Sequence, residues 1–504
     1  MESYIQLLLR TPSDVEWMRF AAILVGISAT IGTGEAVRHA LHWPPEFTRK
    51  LVHVSVALLI FFAPNLFVTA VPPLILASSF TLFAYAAIKL GLLKSLHAVT
   101  RGAYGTVYYP FAFLILVLVF WNDHPEIVSL SMLALGLGDA SAAIVGESIK
   151  NPKLFHLTSD KKSIQGSTAM LLTTAVGLVL GMEYFDGTKY SCETIVLAVI
   201  CSSLIATAWE ALSSRALDNL TIPLSVGFVL YCFLVPTPLQ NTLQFGAGVG
   251  LGLSIAVISL TLRFLTASGA VSTFLLASLV YGIGGWKWTV PILTFFILSS
   301  LLSKIGRSRK IETESIFDKT GVRDVGQVAA NGGIAGILVF LQYVFQDLNF
   351  YPIYLGAVAA VTADTWGTEI GTYFQGKTVS IITFRRVKPG VSGGVSLSGL
   401  VAGVVGASIV ALSALAWIGS SLALLAAILA GIVGSVADSV MGATVQAQYR
   451  CGVCGKITER TIHCGKATEF VSGFRWINND LVNWVCAIVA ALTVILLESF
   501  HFSF

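Results

Sequence analysis

The chain has 504 residues, of which 55% are hydrophobic and only 12% charged, and its mean hydropathy is +0.80. This composition excludes a soluble domain, and at ~20 residues per crossing the apolar runs predict an all-α polytopic membrane protein with about 14–16 transmembrane helices. The formal net charge of +4 is modest. No long basic run is interleaved with aromatic residues, which argues against a nucleic-acid partner.

Two membrane halves are expected. The segment VPTPLQNTLQ interrupts the hydrophobicity after Leu234, so we place one domain at 1–235 and the other at 236–504. The first apolar run, 17–34, is interpreted as a membrane helix rather than a cleaved signal. Basic residues concentrate in short loops, which predicts by the positive-inside tendency that these loops and the active sites face the cytoplasm, in a plasma, inner or internal membrane.

Asp139 is the first polar residue that demands an explanation. It lies within the apolar stretch ALGLGDASAAIVGESI, where a carboxylate costs roughly 2.5–3.5 kcal/mol on insertion scales. On a helix, Asp139, Ala143 and Gly146 share one face. Close helix packing explains the small residues but not the acid. The expected partner of Asp139 is a cation, a lysine or arginine, or a proton pathway.

The next element, TSDKKSIQGSTAMLL, places Lys161, Lys162, Gly166 and Ser167 at the start of a helix. Basic side chains beside helix-terminal N–H groups suit phosphate, although a basic loop that only sets topology is the plainer alternative. A carboxylate that holds Mg²⁺ beside such a cradle is the minimum equipment for phosphoryl or nucleotidyl transfer. Asp218, in RALDNLTIP, adds a carboxylate near a membrane edge.

The same order of features recurs in the second half. Asp364 is followed seven residues later by Gly371, as Asp139 is by its glycine. The basic pair Arg385-Arg386 and a later acid, Asp438, then follow in turn. We interpret the recurrence as a duplicated site, although transporters also contain internal repeats.

Further polar residues near helix ends are candidates for binding nucleotide or phosphate. Helix capping is the alternative for residues 478–480. The candidates are Arg49, Lys50, His53 and Arg101 in the first half, and Arg323, Asn331, Gly393, Gly394, Ser396, Asn479 and Asp480 in the second.

The segment CGVCGKITERTIHC contains Cys451, Cys454, His463 and Cys464. The Cys-x2-Cys spacing is typical of zinc ligands, so these four residues are candidates for a structural Zn²⁺ site. Reduced cysteines in a cytoplasmic loop are the alternative.

Residues 17–235 resemble the membrane isoprenoid-alcohol kinases, which include phytol kinase and dolichol kinase, within a wider group that contains phosphatidate cytidylyltransferase. Residues 246–504 resemble the family that includes phytyl-phosphate kinase. The first resemblance rests on RKLVH, RGAYGTVYYP, GDASAAIVG, KKSIQGS and WEALSSRALDNLTIP, and the second on SGAVSTFLLASLVYGIGGW, RDVGQVAANGG, ADTWGTEIG, PGVSGGVSLSG, ADSVMGATVQ and NNDLVN.

The resemblance implies a fusion of two consecutive kinases. The first would phosphorylate phytol or a similar isoprenoid alcohol with CTP or another nucleoside triphosphate, and the second would convert the monophosphate to the diphosphate. Asp139, Asp364 and Asp438 would bind Mg²⁺, and the two basic pairs would grip phosphates. The apolar helices would hold the isoprenoid tail among the membrane lipids. A cytidylyltransferase that makes a CDP-lipid and a transporter are the alternatives.

Overall fold

Helices form most of this computed structural model, which describes residues 6–43, 45–90, 104–185, 187–235, 242–305, 322–374 and 376–501. The chain divides into two compact units, Met1–Thr242 and Leu243–Phe504. Each unit is described by itself below.

The first unit contains, within its described residues, nine α-helices with the bounds given below, one 3₁₀ helix (Gly187–Lys189) and one short hairpin. These elements are α1 (Asp14–Leu41), α2 (Pro45–Phe61), α3 (Ala63–Leu66), α4 (Val71–Lys89), α5 (Gly105–Phe120), α6 (Pro125–Ser148), β1 (Leu154–His156), β2 (Lys161–Ser163), α7 (Ile164–Tyr184), α8 (Cys192–Leu212) and α9 (Asp218–Leu234).

The second unit has seven helices and several short strands within the part of it that the structure describes. These are α10 (Thr242–Thr261), α11 (Ala267–Lys304), α12 (Val325–Val344), α13 (Tyr351–Phe374), β3 (Thr378–Ser380), β4 (Gly394–Ser396), α14 (Leu397–Ser413), α15 (Ser421–Thr444), β5 (Gln448–Arg450), β6 (Ile457–Thr458), β7 (Ile462–His463), β8 (Lys466–Ala467), β9 (Glu469–Ser472) and α16 (Asn479–His501).

The protein is an all-α polytopic membrane protein, as the composition predicts. Ten helices among the described residues are long and apolar enough to cross a membrane: α1, α4, α6, α7, α8, α10, α11, α12, α15 and α16. The expected 14–16 spans exceed these ten, and part of the difference lies in apolar runs that form shorter helices, α5, α9 and α14. The 38-residue α11 is also broken at Gly285, where φ is 64° and ψ is −162°.

One central helix in each unit carries the acid that the sequence singled out. In the first unit, α6 packs against α2, α7 and α9, and Asp139 lies on its buried part. In the second unit, α13 packs against α12, α14, α15 and α16, and Asp364 follows a run that is buried from Tyr351 to Ala363. Burial on all sides explains why these helices lack a polar face.

A hairpin and a serine-capped helix follow the acid-bearing helix in both units. In the first unit, Ser163 pairs with Leu154 and accepts a hydrogen bond from the Gly166 N–H at 3.1 Å. A Cβ on Gly166 would lie 2.7 Å from the Ala142 carbonyl oxygen, so α7 begins in direct contact with α6.

The second unit repeats this contact with different residues. Ser396 pairs with Thr378 and accepts a hydrogen bond from the Gly399 N–H at 3.2 Å. A Cβ on Gly399 would lie 2.8 Å from the carbonyl oxygen of Gly367, which follows its helix acid by three residues, as Ala142 does in the first unit.

This correspondence corrects the register predicted for the basic pairs. The strand Lys161–Ser163 corresponds to Gly394–Ser396, and not to the segment that contains Arg385 and Arg386. Ser163 follows its helix acid by 24 residues, whereas Ser396 follows Asp364 by 32, so the second hairpin is longer. Arg385 and Arg386 lie in that longer connection and are exposed.

Replacing Gly434 by valine is expected to destabilise the second unit. A Cβ at this position of α15 would lie 2.7 Å from both the Ala360 Cβ and the Cys486 carbonyl oxygen. Overpacking of this kind costs about 1–3 kcal/mol. Thermal unfolding of the detergent-purified protein should show a melting temperature lower by several degrees.

The matched control is Gly250→Val on α10, where a Cβ would have no neighbour within 4 Å. This variant should melt close to the parent protein. Equal losses in both variants would contradict the close packing of α15 against α13 and α16.

Candidate functional site

A polar cavity of about 260 Å³ lies in the second unit where α12, α13, α14, α15 and α16 converge. Most of the residues predicted for this half line it. They are Arg323, Asn331, Asp364, Gly393, Gly394, Ser396, Asp438 and Asn479. Arg385, Arg386 and Asp480 are not among the lining residues.

Carboxylates dominate this cavity. Asp364 on α13 and Asp438 on α15 both line it, with their carboxyl groups close enough to interact directly. The Asp438 Oδ2 atom is buried without a hydrogen-bond partner among the described residues. Two carboxylates in contact cannot both stay ionised unless a cation neutralises them, so this pair either shares a proton or binds a cation.

Two further acids line the cavity and were missed in the sequence. Glu369 accepts a hydrogen bond from Ser303 Oγ at 2.6 Å, and Glu459 accepts one from Ser392 Oγ at 2.8 Å. Glu369 was identifiable as a second acid on the Asp364 helix. Glu459 carried no such signal, because it lies in the cysteine-containing segment.

Arg323 supplies the one positive charge among the lining residues. Burial lowers the pKa of its guanidinium to about 10, with Glu369 acting in the opposite direction, so Arg323 is charged at neutral pH. Arg323 directly precedes Asp324, which caps α12 through a capping box with Gln327. The cap therefore fixes where the guanidinium enters the cavity.

A second, apolar cavity of about 70 Å³ adjoins the polar one. Arg323, Gln327 and Asn331 line both cavities. These three residues are spaced four apart, from Arg323 just before α12 to Asn331 within it. The remaining lining is mostly aliphatic and aromatic, and includes Leu276, Val280, Ile292, Leu293, Phe295 and Phe296. The two cavities together can accept a molecule with a charged head and an apolar chain.

Gly393 holds the loop that precedes β4 against α15. Its φ is +74°, and a Cβ would lie 2.3 Å from the Ala443 Cβ. Only glycine fits this backbone without strain. The structure thus explains Gly393 by packing, and the predicted phosphate contact of Gly393, Gly394 and Ser396 stays a prediction.

The first unit brings its predicted residues into an ion-pair cluster. Lys50 Nζ bonds to Asp139 Oδ2, and both side chains are buried. Lys162 Nζ lies 2.8 Å from Glu210 Oε1 and 3.7 Å from Asp218 Oδ2. The electrostatic influence of Asp139 reaches both Lys162 and Asp218, so the two groups of ion pairs form one cluster.

Glu210 was not a predicted site residue, yet it joins two that were. Its Oε2 accepts a hydrogen bond from Ser167 Oγ at 3.3 Å, while its Oε1 bonds to Lys162. Burial lowers the pKa of Lys162, but the Glu210 and Asp218 carboxylates outweigh it and leave the pKa raised. Lys162 is therefore a permanent cation at neutral pH.

The other candidates of the first unit differ in placement. His53 Nδ1 is buried and has no hydrogen-bond partner within the part of the chain that the structure describes, and the ring packs on Tyr109 at 4.8 Å between centroids. Arg49 acts electrostatically on Asp139 and His53. Lys161 is exposed, and Arg101 lies outside the described residues.

The two sites differ in charge balance. The contacts of the first cluster join two lysines with three carboxylates. The second cavity is lined by four carboxylates and one arginine, a formal excess of three negative charges. The second site therefore has the stronger attraction for a metal cation.

The segment between α15 and α16 holds the third candidate group. The ligand atoms of Cys451, Cys454, His463 and Cys464 all lie within 4.8 Å of one another.

At the start of α16, Asn478 Oδ1 accepts a hydrogen bond from the Leu481 N–H at 3.0 Å. Asn478 therefore caps α16, whereas Asn479 lines the polar cavity.

Comparisons with known proteins show that this chain is similar to other membrane proteins. The family model described as integral membrane protein DUF92 matches residues 250–491. An uncharacterized membrane protein of Methanocaldococcus jannaschii is 31% identical over 195 residues, which cover 38% of this chain and 80% of that protein.

Two further relatives are similar at modest identity. Protein PGR of Arabidopsis thaliana is 29% identical over 263 residues, covering 47% of this chain and 90% of the relative. A phytol kinase of Synechocystis sp. is 27% identical over 221 residues, covering 43% of this chain and 91% of the relative. No solved structure matches the chain.

Removing one partner of the buried Lys50–Asp139 ion pair should lower the free energy of unfolding. In Lys50→Met the Asp139 carboxylate is left buried without its cation, a change that costs about 3–5 kcal/mol. We expect the variant to show a much lower melting temperature in detergent.

The double variant Lys50→Met/Asp139→Asn removes both charges and should recover much of that loss. If the double variant loses the sum of the two single losses, the two side chains do not stabilise each other and the pairing is refuted.

Proposed function

The chain belongs to the DUF92 family of integral membrane proteins, and on that premise we propose that it is a phosphotransferase acting on isoprenoid alcohols. The observation that carries the proposal is the junction of a carboxylate-lined cavity with an apolar cavity along Arg323, Gln327 and Asn331. The similarity to a protein named phytol kinase supports the same class of substrate.

The acceptor fits the second unit by its chemistry. The phosphate of an isoprenyl monophosphate would lie against the Arg323 guanidinium, which is half-buried and charged and suits a phosphate oxygen. Its hydrocarbon chain would lie among Leu276, Ile292 and Phe296. Burial of that chain would supply binding free energy at roughly 25 cal/mol per Å² of apolar surface.

The donor set of the polar cavity fits a divalent metal. Asp364 and Asp438 are in contact, and the unpartnered Asp438 Oδ2 offers a ligand atom that is already buried. Oxygen donors of this kind suit Mg²⁺, which keeps part of its water shell and is bound through one or two carboxylates together with phosphate oxygens. When bound, Mg²⁺ would neutralise charge on the transferred phosphoryl group.

The other residues of the site would position the reactants for phosphoryl transfer. In the reaction, a bond forms between the γ-phosphorus of the nucleotide and the acceptor oxygen, while the bond to the β-phosphate oxygen breaks and the nucleoside diphosphate leaves. Such transfers depend on alignment and charge neutralisation more than on a strong base. Arg323 would hold the acceptor phosphate, and the amides of Gln327 and Asn331 would mark the boundary with the apolar tail.

In the first unit we assign the alcohol-phosphorylating step to the cluster around Lys162. Lys50 and Lys162 are the two cations held there by Asp139, Glu210 and Asp218. The nucleotide phosphates would compete with these carboxylates for the lysines. We place both sites on the cytoplasmic side, where CTP or another nucleoside triphosphate is available.

The direct test supplies detergent-purified protein with phytol and with CTP labelled at either the α- or the γ-phosphate. Transfer of the γ-label to lipid, first as monophosphate and then as diphosphate, is the expected result. Transfer of the α-label would identify a cytidylyltransferase and overturn the proposal.

Asp139→Asn should block the first step alone. Asp364→Asn should block the second and let monophosphate accumulate.

Two arginine variants test whether the acceptor phosphate is bound by an arginine of the cavity or by one at the surface. Arg323→Gln should lower the second step by about 100-fold, because a lost positioning contact has effects of that size. Arg386→Gln removes an exposed arginine outside the cavity and should leave the rate within about twofold. The reverse order of effects would show that the longer hairpin, and not α12, binds the phosphate.

A further inference from the structure

We propose that Cys451, Cys454, His463 and Cys464 bind one Zn²⁺, and that this ion holds Glu459 at the mouth of the polar cavity. The metal would be structural, and it would control the second phosphorylation step through the loop that it folds. The link to catalysis rests on the proposed function, whereas the metal site itself does not.

Two turns of the segment between α15 and α16 bring the four ligands together. Cys451 and Cys454 lie in the turn that joins β5 to β6, where Tyr449 and Arg450 pair with Thr458 and Ile457. His463 and Cys464 lie at the turn from β7 to β8. Two paired turns that each provide two ligands are the usual construction of a zinc knuckle.

The distances agree with tetrahedral coordination. The His463 Nδ1 atom lies 3.5 Å from Cys454 Sγ and 3.2 Å from Cys464 Sγ. Zinc bonds to sulfur and nitrogen give ligand–ligand separations of about 3.6 Å in a tetrahedron. One histidine ring nitrogen and three cysteine sulfurs thus lie together, and binding a single metal ion explains why all four are grouped.

The backbone around the first thiol is arranged for a thiolate. The Val453 N–H points at Cys451 Sγ at 3.4 Å, and the Gly455 N–H donates to the Cys451 carbonyl at 2.8 Å. Gly455 has a φ of +70°, a left-handed conformation that glycine adopts without strain. N–H groups directed at sulfur favour its negative form, which is the form that binds metal.

Four protein ligands leave no open coordination position, so the ion would be structural rather than catalytic. Cys451 is buried, and His463 is 9% exposed, while Cys454 and Cys464 are exposed. Metal could therefore enter from the side of the exposed thiols.

Glu459 connects this cluster to the site. It lies in the short segment between the two ligand pairs, directly after β6, and its Oε1 accepts a hydrogen bond from Ser392 Oγ. Ser392 belongs to the glycine-rich loop that lines the same cavity. Fixing the two turns would fix Glu459 within electrostatic range of Asp438.

The first measurement is the metal content of the full-length protein purified in detergent without chelator, determined by elemental analysis. We expect one zinc per chain, and visible absorption typical of tetrahedral thiolate coordination after exchange with Co²⁺. Cys454→Ser/Cys464→Ser should lose the metal, whereas Cys192→Ser, which alters an exposed cysteine outside the cluster, should retain it. Zinc-free wild-type protein, or full zinc in the double variant, would overturn the proposal.

Glu459→Gln separates the metal from its effect on the site, because it leaves all four ligands in place. This variant should keep one zinc and lose about tenfold or more in the second step. Retained zinc with an unchanged rate would overturn the role of Glu459. Zinc bound at one per chain in a protein that transfers no phosphoryl group would instead refute the proposed function and leave the metal site standing.

Discussion

The contact between Asp364 and Asp438 is the constraint on which the second unit depends. Two carboxylates meet there where the helices of the second unit converge, with one oxygen that has no partner among the described residues. Such a pair is unfavourable unless a proton or a cation lies between them. Helix α13 is buried from Tyr351 to Ala363, and both carboxylates are half-buried where they line the polar cavity. We propose that a metal bound with nucleotide phosphate relieves this repulsion.

The first unit also has buried carboxylates, but its own lysines neutralise them. Asp139 occupies the equivalent place on a buried helix, before an equivalent hairpin and serine cap, but Lys50 already neutralises it. Lys162 does the same for Glu210 and Asp218. The corresponding strand of the second unit places Val395 where the first has Lys162, so it has no lysine to offer. On our proposal, two related arrangements would thus bind phosphate with different proportions of protein and metal cations.

Local pattern was enough to predict the class of fold and the helices that carry Asp139 and Asp364. The partners could not be predicted, because they are brought together only by packing. Lys50 lies 89 residues before Asp139, and Glu210 lies 48 residues after Lys162. The basic pair Arg385-Arg386 was misleading for a related reason. Its spacing from Asp364 matched the first half, but a longer hairpin carries it away from the cavity and leaves Arg323 as the cation among the residues that line it.

The most direct measurement is the thermal unfolding of the protein over a range of Mg²⁺ concentrations, for the parent protein and for Asp438→Asn. A ligand that binds only the folded state raises the melting temperature as its concentration rises. We expect Mg²⁺ to stabilise the parent protein, and we expect Asp438→Asn to be more stable without Mg²⁺ because it relieves the repulsion with Asp364. The variant should then show little further response. An equal response to Mg²⁺ in both proteins would contradict the claim that these two carboxylates form the metal site.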